Sequence, residues 1–253
     1  MMKYVLAGLL LLLCPIAVGA EQIALEDVVK TLEVPFRAET PETGRINDFS
    51  AQFKQESLVA SIDRVQRGRG EVSFRFTVSP EGTEPRAMFR WEYVEPEIQE
   101  IVSDGRTMWV YLPENNQVIV SDIQHVQDQQ GDNPVTFLSN LGNLSRDFQI
   151  SWGAERTDEN GNFLLQLVPR KESQLISRME VAVARDAVTD WLQGKATGQT
   201  FPLHATRVTD AGGNRTSIAF QEPRVNGQLP ESQFIFTVPA GVEVVKPAEQ
   251  LNF

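Results

Sequence analysis

The chain has 253 residues, 34 Asp and Glu against 23 Lys and Arg, a formal net charge of −11, and 41% apolar residues. That apolar share is ample for a sizeable core, and the acidic balance argues against a nucleic-acid partner, whose phosphates call for clustered basic surface. One Cys excludes an intrachain disulfide and cysteine-based zinc sites, and two His leave little for metal or triad chemistry.

Met1 to Ala20 reads as a secretory signal peptide. Lys3 supplies the positive start, Val5 to Leu13 the apolar run, and Val18-Gly19-Ala20 a small-residue cleavage site before Glu21. The rival reading makes Cys14 a lipid-bearing residue, but Leu12 and Leu13 stand where a lipidation site wants small side chains. Cleavage leaves one exported domain, residues 21–253, without cysteine.

An amphipathic helix opens that domain. Leu25, Val28, Val29 and Leu32 recur on one face, Glu26, Asp27 and Lys30 lie opposite, and Pro35 ends the run. Glu39 to Gly44 is turn-rich and predicts a loop. From Asp48 the period becomes two. Phe49, Ala51 and Phe53 alternate with polar residues, as do Val72, Phe74 and Phe76, then Phe89, Trp91 and Tyr93. Gly68-Arg69-Gly70 reads as a turn before the second of these strands.

Further strands are predicted over residues 98–103, 107–112, 117–121, 148–152, 163–168, 176–184, 188–193, 203–210, 216–221 and 233–238. One interruption is helical: Asn133 is a good N-cap, Pro134 suits the first helical position, and Phe137, Leu138, Leu141 and Leu144 repeat at helical spacing. The polar stretch from Gln127 to Asp132 reads as its approach loop. A dozen short strands without regular strand–helix alternation predict a mainly β fold with helices (α+β). Its sheet is an incomplete antiparallel β-barrel of about 11–12 strands.

Chemistry is scarce. His125 sits in a polar loop and His204 in a strand, and no nucleophile elbow, phosphate loop, dinucleotide fingerprint or metal motif occurs. The chain reads as a binding protein rather than an enzyme, with no cofactor and no metal. Phe89, Trp91 and Tyr93 place three rings on one side of a strand, and Trp109 and Tyr111 repeat this nearby. Such rings either fill a core or line a cavity open to an apolar ligand.

The run from Pro85 through Met88-Phe89-Arg90-Trp91-Glu92-Tyr93 to Pro96-Glu97-Ile98-Gln99-Glu100-Ile101-Val102-Ser103-Asp104-Gly105-Arg106-Thr107-Met108-Trp109-Val110-Tyr111 resembles the central signature of the periplasmic outer-membrane lipoprotein carriers, the LolA family. Phe49 to Gln55, Asn133-Pro134 with its apolar helix, Leu167 to Arg170, and Phe236 to Val244 resemble other parts of that family. The resemblance implies a half-barrel roofed by a helical lid, carrying lipoprotein acyl chains in the space between. It puts Phe89, Trp91 and Ile101 on the cavity side and Val135, Phe137 and Leu138 on the lid; alternation adds Tyr93. The family's lid-latching Arg is replaced here by Glu84, which makes Arg86 the nearest candidate latch.

The implied partners are acylated lipoproteins, an inner-membrane lipoprotein-releasing ABC transporter and an outer-membrane lipoprotein receptor, met by a monomer in the periplasm. A lipid-sensing regulator, or a carrier of another amphiphile with the same fold, is the alternative. Either reading expects the sheet to wrap vacant apolar space.

Overall fold

The computed structural model describes residues 23–77, 86–123, 137–173, 175–195 and 197–246, with Arg86 given by its main chain alone. The signal segment, His125, the approach loop, Asn133-Pro134 and Val135 lie outside the described residues.

The strands are β1 (Asp48–Val59), β2 (Arg64–Thr77), β3 (Arg86–Glu95), β4 (Gln99–Ser103), β5 (Thr107–Leu112), β6 (Gln117–Asp122), β7 (Phe148–Thr157), β8 (Phe163–Pro169), β9 (Arg178–Val183), β10 (Leu203–Thr209), β11 (Arg215–Val225) and β12 (Glu243–Val245). They form one 12-stranded sheet in the order β12-β6-β5-β4-β3-β2-β1-β11-β10-β9-β8-β7. The sheet is open, because β12 and β7 end it without pairing to each other. Every neighbouring pair is antiparallel except β12, which runs parallel to β6. An incomplete barrel of about twelve strands is therefore what the chain builds.

Alternation decides the faces. In β1, Phe49, Ala51 and Phe53 are buried while Gln52 and Lys54 are exposed, so odd positions face inward. Phe74 stacks on Phe49 with centroids 5.1 Å apart, Phe89 lies 5.4 Å from Phe74, and Trp91 meets Phe53 edge-on at 4.9 Å. These rings, with Phe36, Phe201 and Phe220, make the main core on the inner face.

Short helices roof that face. The first, α1 (Leu25–Glu33), buries Val28 and Leu32, and Pro35 ends it by tightening the chain into a 3-10 turn, Val34–Phe36. A second 3-10 stretch, Leu138–Asn143, leads into the single turn of α2 (Leu144–Asp147). Leu138, Leu141 and Leu144 are buried at spacing three, the period of a 3-10 helix, so one apolar edge faces the core. The last, α3 (Arg185–Leu192), adds Val188.

Four expectations are corrected. Gly68 and Gly70 lie inside β2 rather than in a turn before it, because the strand starts at Arg64. A Cβ on Gly70 would stand 1.9 Å from the Glu92 carbonyl oxygen, so β3 approaches β2 as only glycine allows. Residues 188–193 are not a strand: Val188, Trp191 and Leu192 sit at i, i+3 and i+4, which a six-residue window hides, and most of the segment belongs to α3.

Residues 233–238 form no strand either. They belong to a strap that crosses the outer face between Pro230 and Pro239, held by Arg90 Nη1 donating to the Gln233 carbonyl at 3.3 Å and Gln233 Nε2 donating to Ser73 Oγ at 3.0 Å. Phe236 packs on Tyr111 and Trp109, at 5.6 and 6.3 Å. Those two rings therefore do not repeat the Phe89 side of the sheet. They pair in register with Glu100 and Val102, one residue out of phase with Ile101, so they face outward. Met88, Val102, Val118 and Phe234 are buried there, outside the main core.

Candidate functional site

On the inner face, register places Val72 opposite Trp91 and Trp91 opposite Ile101, a row crossing three strands under the lid. Phe89, Trp91, Ile101, Phe137 and Leu138 all belong to the same buried cluster, and Tyr93 packs against it. Six of the seven side chains expected to meet a ligand are thus brought together; Val135 lies outside the described residues. Among the described residues the rings of the inner face pack on one another, and Leu138, Leu141 and Leu144 belong to the same buried cluster.

Beyond the rings the inner face becomes polar. Tyr93 Oη donates to Gln55 Oε1 at 2.9 Å, Gln55 Nε2 donates to Ser57 Oγ at 3.2 Å, and Ser57 Oγ lies 3.3 Å from Thr216 Oγ1. Burial pushes the Tyr93 phenol up to about 12. Gly68 lies beside the Tyr93 ring: a Cβ there would make ordinary contact with the ring carbons at 3.6 Å and crowd the Glu95 carbonyl oxygen at 3.2 Å.

The lid is tied by a buried ion pair that sequence reading missed. Arg37 Nη2 donates to Glu33 Oε2 at 2.5 Å; the Glu33 side chain is 2% exposed and that of Arg37 35%. The other Glu33 oxygen accepts the Ser145 backbone N–H, and Arg37 Nε donates to the Gly142 carbonyl at 3.2 Å. One carboxylate and one guanidinium thus join the α1 side of the roof to the 138–147 side. A Cβ on Gly142 would stand 2.9 Å from the Phe36 carbonyl oxygen, so glycine lets the two segments meet. The i,i+4 spacing of Glu33 and Arg37 was visible in the sequence, but their burial was not. Nothing is described of the Arg86 side chain.

A cleft of about 650 Å³ opens with most of its lining on the other face of the sheet, and Gln55, Gly68, Thr206 and Ile218 also border it. None of the described residues expected at the ligand site lines it. Its floor is a registered row, Leu164, Ala182, Ala205 and Ala219 on β8 to β11, running on to Lys54 and Arg69. His204 also lines it, with Asp158 nearby across the β7–β8 end. The Asp158 carboxyl is raised by burial and lowered by more through hydrogen bonds from Asn162 and Asn160, for a net fall.

Residues 44–237 match the family model for the outer membrane lipoprotein carrier protein LolA. The chain belongs to the LolA family. The outer-membrane lipoprotein carrier protein of Methylibium petroleiphilum is 31% identical over 230 residues, covering 91% of this chain and 93% of that protein. Its counterpart of the same description in Chromobacterium violaceum is 27% identical over 204 residues, covering 76% and 88%. Among solved structures, an uncharacterised conserved protein from Thermus thermophilus aligns with a TM-score of 0.48 at 14% identity, covering 88% of this chain and 98% of that one. A LolA-superfamily protein from Nitrosomonas europaea aligns with a TM-score of 0.41 at 11% identity, covering 85% and 99%.

Proposed function

We propose that this protein is a periplasmic carrier that binds the acyl chains of lipoproteins under its lid and moves them from the inner to the outer membrane. The observation that carries the reading is an apolar inner face roofed by separate short helical segments instead of by a second sheet. Such a roof can be lifted without breaking a strand ladder. The residues proposed to meet the acyl chains are Phe89, Trp91, Tyr93, Ile101, Val135, Phe137 and Leu138, with release by an inner-membrane ABC transporter and acceptance by an outer-membrane receptor.

The energetics favour exchange over storage. A sixteen-carbon chain buries on the order of 12 kcal/mol of hydrocarbon, at about 0.8 kcal/mol per methylene. Phe137, Leu138, Leu141 and Leu144 together gain roughly 6–12 kcal/mol by their burial, at about 1.5–3 kcal/mol each. An acyl chain can therefore replace the lid's own side chains at small net cost, and the lid can displace the chain again. The closed roof is then the unloaded state of a carrier, with cargo and lid competing for one surface.

The test is binding of a synthetic diacylated peptide to the purified protein. Wild type should bind it, and Phe89→Glu, which sets a charge against hydrocarbon, should lose binding while keeping its circular dichroism. Depletion in cells should leave lipoproteins at the inner membrane. A folded Phe89→Glu protein that binds like wild type removes the site from the inner face. Recovery of phospholipid or glycolipid but never lipoprotein from the native protein replaces the lipoprotein carrier by a lipid-sensing regulator or a carrier of another amphiphile.

A further inference from the structure

Four buried side-chain polar atoms lack a hydrogen-bond partner among the described residues: Arg45 Nε, Arg75 Nε, Trp91 Nε1 and Ser139 Oγ. Both arginines are satisfied through their other nitrogens, Arg45 by the Ala38 and Thr40 carbonyls and Arg75 by the Leu229 carbonyl. A serine hydroxyl can rotate. The Trp91 indole has one donor, fixed in the ring plane, and its residue is 0% exposed.

Buried tryptophans normally find an acceptor for that N–H, and an orphan in a native core calls for an explanation. Around Trp91 stand Phe53, Phe74, Tyr93 and Phe220, with centroids 4.9 to 6.5 Å away. The three phenylalanines offer no acceptor atom, and the Tyr93 hydroxyl is turned to Gln55. The Leu138–Asn143 stretch packs on β3, so lifting it uncovers the strand that carries Trp91. The position is also a boundary. Along β3 the inner face passes from Phe89 through Trp91 to Tyr93, and along β1 from Phe53 to Gln55 and Ser57, from hydrocarbon to hydrogen-bonding groups.

We propose that the Trp91 indole N–H is a specificity-determining donor for the carbonyl of a carboxyl-linked acyl chain, an ester or an amide. The hydrocarbon tail then lies among the rings, and the polar remainder of the ligand follows the Tyr93–Gln55–Ser57–Thr216 ledge. An alkyl chain joined through an ether fills the same apolar space but leaves the donor orphaned, so the site discriminates by linkage as well as by hydrophobicity. This rests on the carrier reading and deepens it by naming the chemical class of ligand.

The experiment compares two probes on the full mature chain, a diacylglyceryl peptide with ester links and its dialkyl counterpart with ether links. Wild type should bind the ester about 10-fold more tightly, which corresponds to about 1.4 kcal/mol. Trp91→Phe keeps a flat ring and removes the donor; it should bind both probes equally, at the affinity wild type shows for the ether. The indole ¹H–¹⁵N signal of Trp91 in wild type supplies a reading that needs no folded variant. It should move downfield with the ester and stay in place with the ether.

Equal wild-type binding of the two probes, a preference that survives in Trp91→Phe, or an indole signal indifferent to the ester overturns the donor alone. Wild type that binds neither probe overturns the carrier reading and the donor with it.

Discussion

Gly70 shows how a single atom sets the spacing of two strands. Its missing Cβ would fall 1.9 Å from the Glu92 oxygen and 3.0 Å from a ring carbon of Phe53, and neither the backbone nor the packed ring can yield cheaply. Gly70→Ala should therefore cost about 3 kcal/mol or more in urea unfolding, at the upper end of overpacking changes. Gly194→Ala is the control: nothing lies within 4 Å, though its φ of +68° leaves some strain. It should cost about 1 kcal/mol.

Tyr93 carries a pH signature. Its folded value of about 12 lies above the ordinary 10.0, so the fold holds the phenol proton more tightly than the unfolded chain does. That stability is whole below pH 10 and is lost as pH rises toward 12, at about 1.4 kcal/mol per pH unit of separation. Urea midpoints for wild type should fall between about pH 9 and about pH 11.5 more steeply than those of Tyr93→Phe, which has no phenol to ionise. Equal slopes would show that the ring is hydrated in solution.

The roof is a pair of elements joined by two side chains, and the join is asymmetric. Removing Arg37 leaves Glu33 charged and buried, whereas removing Glu33 frees an arginine that already reaches solvent. Arg37→Met should therefore cost about 2–3 kcal/mol, below the full penalty of a wholly buried pair because Arg37 is 35% exposed. Replacing Glu33 as well should return part of that loss. Hydrogen exchange at the Ser145 amide reads the same join locally, and it should accelerate in both single variants because Glu33 accepts that N–H.

On the other face the strap behaves as a separate element. Phe236→Ala should expose Trp109, shifting its fluorescence to the red while leaving the inner core protected, since Phe236 packs on Trp109 and Tyr111 and lies outside the main core. A shift accompanied by global unfolding would make the strap part of one cooperative unit.

Across the whole molecule, one open sheet carries two unlike coverings: short helical pieces over the aromatic inner face and an extended strap over part of the outer one. The large cleft lies where neither covering reaches. Its alanine row arises because three short side chains fall in register on adjacent strands, between longer neighbours such as Lys54 and Arg207. The inner face, by contrast, lies under the short helical pieces. If cargo and roof compete for that face, loading should reduce lid protection, which hydrogen exchange with and without the diacylated peptide would measure.

Strand identity is legible along most of the chain because alternation is a local pattern, and Phe49, Phe53, Phe89 and Trp91 mark out the apolar side of their strands by that pattern alone. The family signature was legible for the same reason, as it lies in contiguous strands and turns. What sequence alone could not decide were events between distant segments. The face occupied by Trp109 and Tyr111 depends on register relative to β4, the outward strap depends on Ser73 and Arg90 receiving residue 233, and the lid tie depends on Glu33 reaching Ser145. Each joins groups more than a hundred residues apart or turns on a one-residue phase, and a one-residue slip exchanges the two faces of a strand. Periodicity settles which residues are apolar together; only the packed chain settles whether the space between them is empty or already occupied.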